Sequence, residues 1–330
     1  MTTHIHDCSN SSERPAHRGG GGPITNDIMR YLHEHASEYE CDFVEKEDDA
    51  DVIITNDVFT RQALCIGTPL VKRMCAPFWR TSLEARNEPL NKAAIQADKV
   101  IFITEYSKQQ YLSTVGYNLH DMCVVKHWAD PKEYGLALDI GLGLQDILTD
   151  WVHNSNTFTL AACATDWSRD EKRLADLIGF AEAFPKDTRL IVIGKCDKEL
   201  PKTCVKTGYL SNPRDVAAEL NKADGFINLS YRDAATKVCA QAINCGLPVL
   251  FADSGGVSEM VGDCGVAIND KRCLTPEDSV PPLNYFDTVS AWAHYLDTFY
   301  QLKKRVKAFD KQKAFKDMLD GYFGVIRSIK

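Results

Sequence analysis

The chain has 330 residues, 38 of them lysine or arginine and 46 aspartate or glutamate, giving a formal charge of −8. Apolar residues make up 44% and charged residues 25%, which excludes a disordered chain or a fibrous rod and points to a globular protein of about two domains. The acid excess argues against a general nucleic-acid binder, which needs a basic face. No apolar run reaches the 18 residues of a membrane span, and the polar stretch 1–10 lacks the apolar core of a secretory signal. The twelve cysteines are scattered with no Cys-x-x-Cys pair, and Cys65, Cys163, Cys239 and Cys245 sit inside apolar runs. Buried reduced thiols and a cytoplasmic setting are therefore expected.

In chain order, short apolar strands alternate with helical stretches. Strands are expected at 4–8, 51–55 (DVIIT), 100–104 (VIFIT) and 122–126, with helices at 25–35 and 105–113. A looser stretch, 135–156, carries Gly135, Gly141 and Gly143 and reads as a join. The rhythm then restarts, with strands at 158–162, 190–194 (LIVIG), 225–229 and 248–252. Helices are expected at 171–184, 213–223 and 237–244, and the last segment, 285–330, reads as helical throughout. Such βαβα order predicts parallel sheets covered by helices, here two Rossmann-like halves facing a cleft. The expected division is 1–150, 151–305 and a closing helix at 306–330 that returns to the first half. Ligands of such sheets bind beyond the carboxyl ends of the strands.

Two stretches suit an anion. Gly19 to Gly22 lie between the first strand and the first helix, where bare backbone can approach a ligand closely. In the second half, 228–233 (NLSYRD) ends a strand, 234–238 (AATKV) opens a helix, and 254–259 (SGGVSE) forms a tight glycine loop. A strand end and a helix N-terminus in succession suit a diphosphate.

The stretch 223–268 (ADGFINLSYRDAATKVCAQAINCGLPVLFADSGGVSEMVGDCGVAI) resembles the signature region of glycosyltransferase family 4, the retaining, sugar-nucleotide-dependent enzymes of the GT-B fold. Residues 97–111 (ADKVIFITEYSKQQY) resemble the family's "AD.VI..SE..K" segment, and 124–134 (VVKHWADPKEY) its "VI.NGVD...F". Residues 167–172 (WSRDEK) stand where the family has a loop ending in Lys-Gly, and the 19–22 glycines are in the family's place. The likeness covers about residues 4–270.

This resemblance implies a GT-B fold and a hexosyl-type transfer from a sugar nucleotide, such as a UDP- or GDP-sugar, with retention and without metal or cofactor. The acceptor is open among glycan, lipid and protein, and a peripheral position on a membrane is open too. Lys172 would hold the donor diphosphate and favour the charge that develops as the glycosidic bond breaks. Arg169 stands in for a family arginine whose own place is taken by Asp166 and Trp167. Gly20, Gly21 and Gly22 would contact donor, as would the backbone of Ala235, Thr236, Lys237 and Val238. Thr236 replaces the usual second glycine. The family's Glu-x7-Glu maps onto Asp233, which would touch donor sugar hydroxyls as the catalytic carboxylate, and Gln241, whose amide can still accept from the ribose without charge assistance. The alternative is a non-catalytic GT-B relative that binds nucleotide or carbohydrate or serves as a partner subunit; a sugar-nucleotide epimerase is a third option.

Rival motifs are weaker. Asp49-Ala50-Asp51 precedes its strand, whereas a metal-binding Asp-x-Asp follows one, so it reads as a solvated strand entry. His33 and His35 point to different sides of a helix, His127 carries little as a catalytic group, and Cys239 and Cys245 read as packing.

Overall fold

A computed structural model describes residues 2–7, 22–55 (22–26 as backbone), 67–75, 84–85, 87–115, 119, 121–135, 157–183, 188–270, 273–274 and 277–329. The chain divides into two compact units: Met1–His127 with Leu274–Asp278 and Lys316–Lys330, and Trp128–Cys273 with Ser279–Phe315. The expected join at 135–156 falls outside the described residues from 136 onward.

The first unit holds a sheet of β1 (Thr3–Asp7), β2 (Cys41–Val44), β3 (Val52–Thr55), β4 (Leu70–Met74), β5 (Lys99–Phe102) and β6 (Met122–Val124), in the order 2-1-3-4-5-6. Every neighbouring pair is parallel. Helices α1 (Gly22–His35), α2 (Asn87–Gln96) and α3 (Glu105–Val115) connect the strands. Side chains buried on the strands, such as Ile53, Leu70, Val100 and Phe102, form the core, as a parallel sheet covered on both faces requires.

The second unit repeats the plan. Its sheet is β7 (Phe158–Asp166), β8 (Thr188–Lys195), β9 (Cys204–Gly208), β10 (Gly225–Asn228), β11 (Val249–Ala252) and β12 (Gly265–Ile268), in the order 12-11-10-7-8-9. All its pairs are parallel too. The helices are α4 (Leu174–Glu182), α5 (Pro213–Leu220), α6 (Lys237–Asn244), α7 (Val257–Val261), α8 (Tyr285–Ala308) and α9 (Lys311–Ser328), the last continuing into the first unit from Lys316. Tyr295 of α8 is fully buried and donates to the Pro248 carbonyl at 2.9 Å.

Several elements depart from the sequence expectation. Strand β4 (LVKRM) is interrupted by Lys72 and Arg73, yet both are buried; the charges mask its apolar pattern. Strands β2 (CDFV) and β9 (CVKTG) are short sheet edges in which Asp42, Val205 and Lys206 are exposed, so neither shows the continuous buried run of a central strand. The helix expected at 171–184 begins only at Leu174. Before it, Asp170–Lys172 form a 3-10 turn and Arg173 adopts a left-handed φ of 53°. The 285–330 segment is two helices, broken at Phe309, which is extended.

In each sheet the strand order reverses beside the first strand. β1 lies between β2 and β3, and β7 lies between β8 and β10. Loops leaving the carboxyl ends of strands diverge there, which is where open α/β sheets bind ligands. The loop after β1 contains Gly20 and Gly21, which lie outside the described residues; Gly22 is the first residue of α1.

Candidate functional site

The reversal in the second sheet brings together two loops, 167–173 after β7 and 229–236 after β10. Lys172 Nζ lies 2.8 Å from Asp233 Oδ2 and donates also to Ser230 Oγ at 3.4 Å. Burial pushes the Asp233 carboxyl up, but the Lys172 charge and hydrogen bond, with the Ala235 amide 3.3 Å from Oδ1, prevail and hold it below the usual carboxylate value. Arg169 is half-buried and paired with Glu171. Its charge also lowers Asp233. Lys172 is thus not the solvated helix residue that its sequence setting allows: it stands on a 3-10 turn, with 16% of its side chain exposed.

Backbone strain frames this pair. Arg173, next to Lys172, and Arg232, next to Asp233, both have φ of 53°. A non-glycine residue held there costs on the order of 1 kcal/mol, so its surroundings must impose it. For Arg173 they do. Its guanidinium meets Asp270 at 2.6 Å, donates to the Pro281 carbonyl at 2.9 Å and lies over the Tyr231 ring, 4.7 Å from the centroid. The Tyr231 amide donates to the Glu171 carbonyl at 2.8 Å, tying the two loops directly.

A third loop, after β11, completes the support. The Arg232 amide donates to Ser254 Oγ at 3.0 Å, and the Gly256 amide to the Asp233 carbonyl at 2.9 Å. A Cβ on Gly255 would lie 2.3 Å from the Asp233 carbonyl oxygen and 2.9 Å from its nitrogen, so only glycine lets this loop reach Asp233. The sequence reading found this glycine loop but not its target, because nothing in the spacing shows which backbone it touches.

Helix α6 opens at Lys237, with Thr236 as its N-cap. Ala235, Thr236, Lys237 and Gln241 are buried and Val238 is half-buried. Lys237 and Gln241, four apart, share a helix face. Cys239 and Cys245 are buried, and burial pushes each thiol up to about 12, in keeping with packing. Ten cysteines are described, and none of the ten is in a disulfide. Among the described residues no group of three His, Cys, Asp or Glu stands together as metal ligands, and no helix is long and apolar enough to cross a membrane.

In the first unit, Arg73, His127 and Tyr322 form a buried cluster that the sequence did not show. Arg73 Nη2 donates to His127 Nε2 at 2.7 Å, and Arg73 Nε to the Tyr322 hydroxyl oxygen at 3.0 Å. Burial, then the Arg73 charge, holds the His127 imidazolium well below the usual range, so the ring is neutral and accepts from the guanidinium. Asp49 closes a short 3-10 turn, and Asp51 Oδ2 accepts from the His4 amide at 2.9 Å, a strand-entry role as expected.

Residues 163–279 match the family described as Glycosyl transferases group 1. No curated protein sequence matches the chain. Among solved structures, WaaG, a glycosyltransferase involved in lipopolysaccharide biosynthesis, is similar with a TM-score of 0.68 at 13% identity, over 98% of this chain and 99% of its own. Anabaena Alr3699/HepE, solved in complex with UDP, is similar with a TM-score of 0.64 at 16% identity, over 98% and 99%. A glycosyltransferase from Rickettsia africae ESF-5 gives 0.65 at 12% identity, over 99% and 98%. These likenesses establish the fold: two parallel six-stranded sheets with helices, of the GT-B type.

Proposed function

We propose that this chain is a glycosyltransferase that takes a sugar from a nucleoside-diphosphate donor and passes it to an acceptor with retention and without a metal ion. The observation that carries this reading is the Lys172–Asp233 pair, at 2.8 Å, set beside the α6 N-terminus at the reversal of the second sheet. This pair lies within the segment that matches the glycosyltransferase family. Alr3699/HepE, solved also with UDP-glucose, supports a nucleotide-sugar donor.

In this reading Lys172 holds the diphosphate and favours the charge that grows on it as the glycosidic bond breaks. Arg169 adds a second positive charge. The amides of Ala235, Thr236, Lys237 and Val238 face the phosphates, a helix N-terminus being a ready anion site. Asp233 accepts from donor sugar hydroxyls and Gln241 from the ribose. In this reading the first unit serves the acceptor. The acceptor is a glycan, lipid or protein. The ten described cysteines, none in a disulfide, support a reducing compartment.

Calorimetric titration with UDP, GDP, ADP and dTDP, with and without EDTA, tests this. Binding of one diphosphate, unchanged by EDTA and weakened by Lys172→Ala, is the expected result. Binding of none would leave only a non-catalytic relative.

A further inference from the structure

Asp270 lies two residues past the end of β12, outside the loops that carry Lys172, Asp233 and Gly255. Its carboxylate nonetheless reaches one of them. The side chains of Arg173 and Asp270 are only 1% and 8% exposed, and they meet as a fork. Arg173 Nη1 donates to Asp270 Oδ2 at 2.6 Å and Nη2 to Oδ1 at 3.4 Å. Paired bonds of this kind fix the orientation of a guanidinium as well as its distance. Nη2 donates also to the Pro281 carbonyl, and the Tyr231 ring lies against the guanidinium.

The turn that presents Lys172 is anchored on both sides of it. Before Lys172, the Glu171 carbonyl accepts from the Tyr231 amide at 2.8 Å. After it, Arg173 holds a φ of 53°, which glycine adopts freely and arginine does not. The first anchor is backbone to backbone and needs no particular side chain. The second depends on what grips the Arg173 side chain, and Asp270 supplies its shortest contact. Lys172 itself is a point charge on a flexible stem, so its aim follows the turn beneath it.

We propose that Asp270 is a positioning residue of the donor site: by holding Arg173 it aims Lys172 at the diphosphate, without touching the donor itself. This rests on the donor reading above and adds to it a residue from a part of the chain that reading does not use. Loss of the Asp270 carboxylate removes the second anchor and keeps the first. The turn then stays attached through Glu171 while its lysine loses direction. Asp176 Oδ2, 3.7 Å from Arg173 Nε, remains as a counter-charge, so the guanidinium of Asp270→Asn is not left without a carboxylate.

The test is a double-mutant cycle, read by calorimetric titration with UDP, GDP, ADP and dTDP. Asp270→Asn should weaken binding of the preferred diphosphate by about threefold to tenfold in the wild-type background. In the Lys172→Ala background it should change affinity hardly at all, because the group it positions is gone. An equal loss in both backgrounds would mark Asp270 as merely structural and overturn the inference. A second variant guards against misfolding. Arg173→Gly/Asp270→Asn removes both charges of the clamp together, and glycine adopts the φ of 53° freely, so its Tm should stay close to that of the wild type. Its affinity should fall as in Asp270→Asn; wild-type affinity would mean that φ alone sets Lys172. Binding that depends on Lys172 but not on Asp270 would overturn this inference and leave the proposed function standing. No binding of any diphosphate would overturn both.

Discussion

Lys172 and Asp233, 61 residues apart in the chain, meet at 2.8 Å, and each has a left-handed arginine as its neighbour. The two loops that carry them leave β7 and β10, adjacent strands on either side of the sheet's reversal. Arg173 and Arg232 bend the loops to bring the pair together.

Removing the lysine should act on both partners. Lys172→Ala takes a charge-assisted hydrogen bond from a half-buried carboxylate, worth about 1.5–3 kcal/mol. Nucleotide affinity should fall about 10–100-fold in calorimetry. The depressed Asp233 value stabilises the wild type above the unfolded value of 3.8, and that stability is lost as pH falls through the folded value. In Lys172→Ala burial acts on Asp233 without the opposing lysine, so this acid loss should shrink, read as a smaller fall in Tm between pH 6 and 3.

Gly255 has no room for a methyl group. The Cβ of Gly255→Ala would meet the Asp233 backbone at 2.3 Å, and backbone cannot turn aside as a flexible side chain can. The change should cost about 1–3 kcal/mol in urea unfolding and should lower nucleotide affinity, because the loop it displaces carries Asp233. Unchanged affinity in Gly255→Ala would mean that this contact does not position the site.

The buried cluster of the first unit makes a pH prediction of its own. His127 is held neutral, so its contribution to stability is present above 6.5 and is lost as pH falls through its lowered value. Wild-type Tm should therefore drop between pH 6.5 and 5, and His127→Gln should flatten that part of the profile.

Tyr322→Phe removes the oxygen that accepts from Arg73 Nε at 3.0 Å. Leaving a buried donor with one bond fewer should cost about 1–3 kcal/mol in equilibrium unfolding, without changing nucleotide affinity. A loss of affinity would give this cluster a part in the donor site.

The sequence by itself determined the parallel α/β halves, because runs such as DVIIT, VIFIT and LIVIG are apolar and β-branched throughout, as strands buried on both faces must be. By local order it also marked Asp233 and the start of α6, where a polar loop joins a strand to a helix, while Lys172 was marked by the resemblance to the glycosyltransferase family. It did not show β4, whose Lys72 and Arg73 look like surface residues until the fold buries them. Only the tertiary structure decided that Lys172 pairs with Asp233, that Gly255 lies against Asp233, and that Arg73, His127 and Tyr322 meet. Those contacts join residues from 22 to 249 positions apart, and strand order, which no local period encodes, sets which loops become neighbours.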